Sequence, residues 1–384
     1  MSAEAGRRET NPLLQLGQLG QSLWYDYITR DLVASGELAR LIAEDGLRGM
    51  TSNPTIFEKA IAGSQSYDED IRRLSDQGRN AGEVFEVLAV SDVQAACDAF
   101  MPLYRQSGGA DGFVSLEVSP TLAHHAEGTT HEARRLWGAV ARPNAMIKIP
   151  GTEAGLPAIT RTIAEGINVN VTLLFSLERY AAVVEAFLAG LEARLEQGKP
   201  VRAIASVASF FVSRVDSKVD ALLDGVHHGA PRGAGTPDHP LRGKIAIANA
   251  SLAYGIFERT LDTWRWKKLS EAGVRPQRPL WASTSTKDPR LPDTYYVEAL
   301  AAPQTVNTLP PETFEAFRNH GKPAVRIREN LAAAPDQLDA LKETGIDLKV
   351  ITRELEEEGV AKFAASHAAV LAGIDAKMGA LASR

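Results

Sequence analysis

The sequence predicts one large (β/α)8 barrel, an α/β fold that carries additional helices at the N-terminus, after the second strand and at the C-terminus. Short apolar runs recur along the 384 residues, and their number is the eight that such a barrel requires. Several runs are rich in Val, Ile and Phe, as expected for strands buried on both faces. The segments between them are predicted helices, and this alternation of strand and helix indicates a parallel sheet.

The predicted elements follow one another in a regular order. A short helix within residues 12–21 precedes the first strand. The strand candidates are residues 23–28, 47–51, 113–118, 145–149, 167–173, 203–207, 279–283 and 305–309. Residues 128–141 and 177–195 carry apolar side chains at three-to-four spacing, which is typical of amphipathic helices. The connection over residues 53–112 is predicted to be long and helical.

We predict three parts along the chain. Residues 1–10 are polar and charged and form a disordered tail. Residues 11–310 form the catalytic barrel. Residues 311–384 show no further strand pattern and are predicted to be a helical extension packed on the barrel, with its last helix at roughly residues 348–378.

Composition and charge exclude several classes of function. The formal net charge of −6 argues against broad nucleic-acid binding, which needs a basic surface. It permits an anionic small substrate, because a few cations focused in a cleft can bind a phosphate. No apolar run approaches the roughly 20 residues of a membrane-spanning helix, and the first ten residues do not resemble a signal peptide. We therefore expect a cytoplasmic protein without a membrane partner.

Cysteine and histidine usage predicts no metal site. Cys97 is the one cysteine, so an intramolecular disulfide is excluded, and its apolar surroundings predict a core position. The Gly- and Pro-rich residues 228–240 are predicted to form an exposed loop between two helices. The three histidines in and beside this loop (His227, His228 and His239) fit no standard spacing of metal ligands.

Polar side chains fall in or directly after the apolar runs. They are Asp26, Asn53, Glu117, Lys148, Asn170, Thr172, Ser209 and Ser283. In a barrel of this type, catalytic groups lie at the carboxyl ends of the strands. A carboxylate within VSLEVSP and a lysine within AMIKIPG are costly in buried strands, so we expect these side chains to converge at one barrel mouth.

Lys148 is the first candidate for chemistry. An amine attacks a ketone only when it is unprotonated, and burial disfavours the charged ammonium. A lysine within a buried strand is therefore a candidate Schiff-base nucleophile. The alternative is a structural ion pair with a carboxylate such as Glu117. Glu117 and Asp26 can supply the proton transfers of such chemistry, or they can belong to an ion-pair network.

Two cations follow the late strands, where barrels often bind phosphate. Arg214 lies just past the sixth strand and Lys287 just past the seventh. Each is a phosphate ligand or a solvated surface charge. The aromatic pair Phe210 and Phe211 follows Ser209, and at least one of the two is predicted to pack in the core.

Five motifs occur in order at the ends of predicted strands. They are TSNPTIFEKAI, VSLEVSP, MIKIPGT, INVNVTLLFS and ASFFVSR, and VEALAAPQTVNTLP follows at residues 297–310. Together they resemble the transaldolase family over roughly residues 20–310. The resemblance implies an enzyme of the pentose phosphate pathway that forms a lysine Schiff base and requires no cofactor. It would transfer a dihydroxyacetone unit from sedoheptulose 7-phosphate or fructose 6-phosphate to glyceraldehyde 3-phosphate or erythrose 4-phosphate.

The resemblance also implies a role for each matching residue. Lys148 corresponds to the Schiff-base lysine and Glu117 to a carboxylate that acts through a water molecule, which Thr172 helps to hold. Asp26 corresponds to the carboxylate that takes the C4 hydroxyl proton. The implied substrate-binding residues are Asn53, Asn170 and Ser209 for the dihydroxyacetone hydroxyls, Phe211 for the pocket wall, Arg214 for the phosphate, and Ser283 at the end of strand seven.

Two departures from the family pattern affect this assignment. Many members carry an arginine two residues after the serine of strand seven, whereas this sequence has Ser285 there. Lys287 is the nearby cation that would replace it, as a point charge without the bidentate fork of arginine. The residues around Asp26 lack the Asp-Thr-Gly pattern of one branch, so its placement depends on strand order.

Two rival functions fit the same fold. An aldolase branch that releases free dihydroxyacetone resembles this sequence but has Gln at position 117 and Tyr at position 211, where this chain has Glu117 and Phe211. A non-catalytic sugar-phosphate binder would be expected to have lost Lys148, Glu117 or Asp26, and all three are present. The sequence leaves open whether the chain is a monomer or a homodimer.

Overall fold

Eight parallel strands close into a barrel in the computed structural model, which describes residues 11–226 and 239–382. The strands follow one another around the barrel in chain order, and the last pairs with the first. They are β1 (Gln21–Tyr25), β2 (Gly49–Met50), β3 (Phe113–Glu117), β4 (Ala145–Pro150), β5 (Val169–Leu174), β6 (Ser206–Phe211), β7 (Arg278–Ala282) and β8 (Thr305–Leu309). The predicted (β/α)8 fold is confirmed.

The helices surround the barrel and extend beyond it. They are α1 (Pro12–Gln18), α2 (Arg30–Ala34), α3 (Glu37–Glu44), α4 (Pro54–Gly63), α5 (Asp68–Asp76), α6 (Ala81–Gln106), α7 (Ala126–Val140), α8 (Gly155–Glu165), α9 (Leu177–Glu196), α10 (Ser213–Val226), α11 (Ile245–Asp262), α12 (Trp264–Glu271), α13 (Tyr295–Ala299), α14 (Pro311–His320), α15 (Ile327–Glu343) and α16 (Leu348–Ala382). The additions to the barrel are α1, the helices α4 to α6 after β2, and α14 to α16.

The strands are buried almost throughout, which explains why they are continuous apolar runs rather than alternating patterns. The second strand is the shortest, with two residues. Its Gly49 lies against the indole of Trp24, and a Cβ there would come within 2.5 Å of that ring. The barrel wall is therefore packed so closely at this point that only glycine fits.

The sixth strand differs most from its predicted position. Residues 203–207 were expected, whereas β6 runs from Ser206 to Phe211 and pairs with β7 over Val207 to Phe211. Residues 203–205 belong to the preceding turn, where the backbone N–H of Ala205 donates to the side chain of Asn168. The serines in SVASFF interrupt the apolar pattern, although their side chains are buried, so hydrophobicity alone ends this strand too early.

The first strand ends at Tyr25 rather than at residue 28. The backbone N–H of Asp26 still donates to the carbonyl of Leu309 on β8. Asp26 therefore stands at the mouth of the barrel, one residue after the strand. The other strand ends lie within two residues of their predicted positions.

The final helix α16 extends for 35 residues and packs against α4, α5, α6 and α10. Its buried side chains include Leu355, Phe363 and Ile374. Since α4 begins directly after β2 and α10 directly after β6, this helix crosses the end of the barrel where the strands terminate. The division of the chain at residue 310 into a barrel and an extension stays a prediction.

Cys97 is fully buried in α6, as predicted, and burial raises the pKa of its thiol. His227, His228 and most of the loop predicted at residues 228–240 lie outside the described residues. Within residues 11–226 and 239–382, no group of His, Cys, Asp or Glu side chains is arranged to hold a metal ion. Within the same ranges, no helix combines the length and the apolar character needed to cross a membrane.

Candidate active site

A cavity of about 400 Å³ opens at the carboxyl ends of the strands. Nine of the eleven predicted site residues line it: Asp26, Asn53, Lys148, Thr172, Ser209, Phe211, Arg214, Ser283 and Lys287. The other two, Glu117 and Asn170, occupy the strands on either side of Lys148. In the register of the barrel, Glu117 on β3 is paired with Lys148 on β4, which is paired with Asn170 on β5.

Lys148 is 4% exposed in the middle of β4. Its Nζ donates a hydrogen bond to the carbonyl of Ser52 at 3.1 Å and lies 3.9 Å from Oε2 of Glu117. The distance to the carboxylate permits electrostatic attraction but is too long for a hydrogen bond. The phenyl ring of Phe363 on α16 lies 5.8 Å from the same nitrogen. The amine is thus held at the base of the cavity under an aromatic side chain.

Glu117 is a buried carboxyl with unusual surroundings. Neither of its oxygens has a hydrogen-bond partner among the described residues, and the same is true of the buried hydroxyl of Thr172. Burial raises the pKa of Glu117 to about 7, although the charge of Lys148 opposes the shift. Buried polar atoms without protein partners are uncommon, and such atoms beside a cavity can bind a water molecule or a substrate group. This carboxyl can therefore exchange a proton near neutral pH.

Asp26 is the second carboxyl at the mouth. The hydroxyl of Thr51 donates to its Oδ1 at 2.6 Å, and the hydroxyls of Thr51 and Thr308 are 2.7 Å apart. Burial raises the pKa of Asp26, while Lys148 and the hydrogen bond from Thr51 act in the opposite direction. The two threonines were not among the predicted site residues. Thr51 could have been predicted from the sequence, because it follows β2 directly and precedes Ser-Asn-Pro, which contains the predicted site residue Asn53.

The two asparagines have different surroundings. The side-chain oxygen of Asn53 caps α4 by accepting a hydrogen bond from the N–H of Ile56, and this residue also lines the cavity. Asn170 is fully buried: it donates to the hydroxyl of Ser115 and accepts from the hydroxyl of Ser209. Asn170 therefore holds Ser209 beside the cavity.

Phe210 and Phe211 point to opposite sides of β6. Phe210 packs outside the barrel against Tyr180 and Trp281, which confirms that one of the pair belongs to the core. Phe211 lines the cavity, and the guanidinium of Arg214 lies 5.2 Å from the centre of its ring.

Arg214 is half-buried in the first turn of α10. It forms no hydrogen bond or ion pair with the residues that the structure describes, and burial lowers its pKa. Ser283 has a left-handed backbone with φ +56°, a strained conformation for a residue other than glycine, and its hydroxyl lies 3.0 Å from that of Ser213. Lys287 is exposed at the rim and donates to Ser285 at 2.7 Å.

The helical additions also supply two cations and one aromatic ring to the cavity wall. They are Lys59 on α4, and Lys362 and Phe363 on α16. Lys59 lies within the motif TSNPTIFEKAI but was given no role there, whereas Lys362 and Phe363 lie outside every motif and far from any strand end. In total, five cations and two carboxylates line the cavity: Lys59, Lys148, Arg214, Lys287, Lys362, Asp26 and Glu312. The cavity is therefore suited to an anionic substrate.

A buried amine, two carboxyls with raised pKa and a cationic rim within one barrel mouth define an enzyme site. The family model for Transaldolase/Fructose-6-phosphate aldolase matches residues 23–374. The chain is 50% identical over 372 residues to a transaldolase of Frankia alni, which covers 96% of this chain and 98% of the relative. It is 49% identical to a transaldolase of Thermobifida fusca (93% and 95% covered) and 44% identical to one of Trichodesmium erythraeum (96% and 98% covered).

The chain belongs to the transaldolase/fructose-6-phosphate aldolase family, and it is a transferase of the transaldolase type. The resemblance inferred from the five motifs is thus confirmed. The relatives match over nearly their full length, so the region of similarity includes the C-terminal helices as well as the barrel.

Proposed function

We propose that this enzyme transfers a dihydroxyacetone unit from sedoheptulose 7-phosphate or fructose 6-phosphate to glyceraldehyde 3-phosphate or erythrose 4-phosphate, as a step of the pentose phosphate pathway. The observation that carries the proposal is the position of Lys148. Its amine is buried at the base of the cavity, 3.9 Å from a carboxyl whose pKa is about 7. An amine can add to a ketone there with a proton donor and acceptor beside it.

The first half of the reaction forms the Schiff base. The uncharged Nζ of Lys148 attacks C2 of the ketose, and the C2 oxygen must then leave as water. Glu117 supplies the proton for this loss through a water molecule held between its carboxyl and the hydroxyl of Thr172. The two groups suit this role because both are buried and neither is used by another protein atom among the described residues.

The second half breaks and remakes a carbon–carbon bond. Asp26 accepts the proton of the C4 hydroxyl, the C3–C4 bond breaks, and its electron pair moves toward the iminium nitrogen. The aldose phosphate leaves, and the three-carbon enamine stays on Lys148. The second aldose phosphate then adds by the reverse steps. In this scheme the iminium serves as the electron acceptor, so the chemistry draws on no cofactor.

The remaining residues orient the substrate in this proposal. The amide N–H groups of Asn53 and the hydroxyl of Ser209, which Asn170 positions, hydrogen-bond the dihydroxyacetone hydroxyls. Arg214 binds the phosphate, and Ser283 and Lys287 contribute from the segment that follows β7. The cytoplasmic location stays a prediction, and so does the expectation that the chain is either a monomer or a homodimer.

Reduction with sodium borohydride in the presence of fructose 6-phosphate tests the proposal. We expect a three-carbon adduct on Lys148, identified by intact mass and peptide mapping, because borohydride reduces the iminium and makes the bond permanent. The same treatment without sugar is the control. No adduct, or an adduct on another lysine, would contradict the proposed chemistry.

Transfer rather than simple release is favoured by the apolar cover over Lys148. Phe363 is 4% exposed and its ring faces the amine, so water is kept from the enamine. We expect Phe363→Ala to release several-fold more free dihydroxyacetone per transfer event, because the opened space admits water. The measurement is free dihydroxyacetone with and without an aldose phosphate acceptor.

The matched control is Phe187→Ala, which removes a phenyl ring that is 1% exposed in α9. Both variants should lose about 3–5 kcal/mol of stability from the cavity that they create. Only Phe363→Ala should change the ratio of release to transfer. An equal change in both variants would show that general loosening, and not the cover over Lys148, governs the ratio.

A further inference from the structure

The helices α10 and α16 lie side by side and form ion pairs over part of their contact. Lys218 on α10 lies 2.7 Å from a carboxylate oxygen of Glu354 and 2.6 Å from one of Glu358, both on α16. The spacing of these two glutamates is one helical turn, so they lie on the same face of α16. At this level, opposite charges meet across the two helices.

One turn further toward the barrel mouth the charges no longer match. On α10, Arg214 precedes Lys218 by four residues, and on α16, Lys362 follows Glu358 by four residues. Gly359 lies between them on α16, and a Cβ on this glycine would be 3.7 Å from Nη1 of Arg214, which places the guanidinium against this helix. The ion pairs of Lys218 with the two glutamates are thus followed, one turn further, by two cations side by side, Arg214 and Lys362.

The charges around Lys362 are mainly positive. Repulsion from Arg214 is the first cause of its lowered pKa, followed by burial and by the charges of Lys287 and Lys59. The carboxylates that line the same cavity are Asp26, which accepts a hydrogen bond from Thr51, and Glu312. Neither of them forms an ion pair with Lys362 or Arg214 within the described parts of the chain.

The position of Lys362 is set by its neighbours in α16. Phe363 is buried over the catalytic lysine, and the hydroxyl of Ser366 lies 2.8 Å from that of Thr55 on α4. The helix is therefore held in place on both sides of the cavity. Lys362 itself makes no hydrogen bond or ion pair with residues 11–226 or 239–382, whereas the Nζ of Lys287 is bonded to Ser285.

We propose that Lys362, on the C-terminal helix, pairs with Arg214 to bind the phosphate group of the sugar phosphates. A phosphate between the two cations replaces their repulsion by charge-assisted hydrogen bonds on both sides. The proposal rests on the proposed function for the identity of the substrate. It makes the C-terminal helix a wall of the substrate site and reduces Lys287 to a rim residue.

The test compares Lys362→Met with Lys349→Met. Lys349 lies on the same helix, is exposed, and pairs with Glu178 at 3.0 Å far along the helix from Lys362. We expect Lys362→Met to raise the KM for fructose 6-phosphate about ten- to hundred-fold, the effect of one lost hydrogen bond to a charged group. Lys362→Arg should restore most of the affinity, and Lys349→Met should leave the KM unchanged.

Two further measurements separate this proposal from the proposed function. Calorimetric titration with inorganic phosphate needs no turnover, and its Kd should rise by a similar factor in Lys362→Met. Borohydride trapping of dihydroxyacetone, which carries no phosphate, should be equal in wild type and Lys362→Met. Failure of the wild type to form any adduct would contradict the Schiff-base chemistry, while the phosphate titration still decides the role of Lys362.

Unchanged phosphate affinity and unchanged KM in Lys362→Met would overturn the proposal. So would a loss that appears in Lys287→Met but not in Lys362→Met, because the second cation would then be Lys287. Equal losses of dihydroxyacetone trapping and phosphate binding in Lys362→Met would also overturn it, since they would show a general disturbance of the site. Lys362 is an exposed side chain, so its replacement should not affect folding.

Discussion

Replacement of Lys148 by arginine or by methionine should lower turnover of fructose 6-phosphate by at least about 10⁴-fold, the scale seen when a covalent nucleophile is removed. The borohydride adduct should disappear as well. Arginine keeps the positive charge beside Glu117 but has no amine that can lose its proton under these conditions. The two variants therefore separate the charge of Lys148 from its nucleophilicity.

Folding must be checked in both variants, because Lys148 offsets part of the burial cost of two carboxyls. Its charge lowers the pKa of both Glu117 and Asp26, so Lys148→Met should raise both values further. Circular dichroism and the binding of inorganic phosphate report an intact barrel and an intact phosphate site. If Lys148→Arg retained turnover within about ten-fold of wild type, the lysine would act as a charge and the Schiff-base proposal would fail.

Replacement of Glu117 by glutamine should slow Schiff-base formation by about 10²- to 10⁴-fold, the usual contribution of general acid–base catalysis. Glutamine preserves the shape of the side chain but cannot give up or regain a proton. Since the pKa of Glu117 is raised to about 7, its carboxyl is mostly protonated below that pH. The advantage of wild type over Glu117→Gln should therefore be largest below pH 7 and decline above it.

The measurement is single-turnover formation of the Schiff base between pH 5.5 and pH 8.5, with borohydride quenching at each time point. A ratio of wild-type to variant rates that stays constant across this range would exclude Glu117 as the proton donor. Thr172→Val is the companion variant. It keeps Glu117 but removes the hydroxyl proposed to hold the water, and it should slow the same step with the inflection near pH 7 retained.

The Glu117→Gln variant should also alter how the free energy of unfolding depends on pH. Between the ordinary carboxyl pKa of 4.5 and the folded value of about 7, the folded state holds a proton at Glu117 that the unfolded state releases. The unfolded state therefore binds fewer protons, and wild-type stability falls as pH rises through this window. Glu117→Gln lacks this loss, so its stability relative to wild type should increase by on the order of 1–3 kcal/mol from pH 4.5 to pH 8. Urea unfolding at several pH values measures it.

Much of the molecule follows from local sequence. The eight strands are recognisable because a parallel sheet covered on both faces requires continuous apolar runs. Lys148 and Glu117 are recognisable because a charged group within such a run is costly unless it has a function. The sixth strand was misplaced because SVASFF contains serines whose burial depends on neighbours distant in sequence, such as Asn170 and Gln277.

The sequence by itself determined the fold class, the order of the strands and the residues that are chemically unusual for their strands. Only the tertiary structure decided that Glu117, Lys148 and Asn170 stand side by side, because strand register depends on closure of the whole barrel. It also decided that α16 brings Lys362 and Phe363 to the cavity more than 200 residues after Lys148 in the sequence. A helix reveals its own buried face through its periodicity, but the surface against which that face packs is set by the shape of the completed barrel.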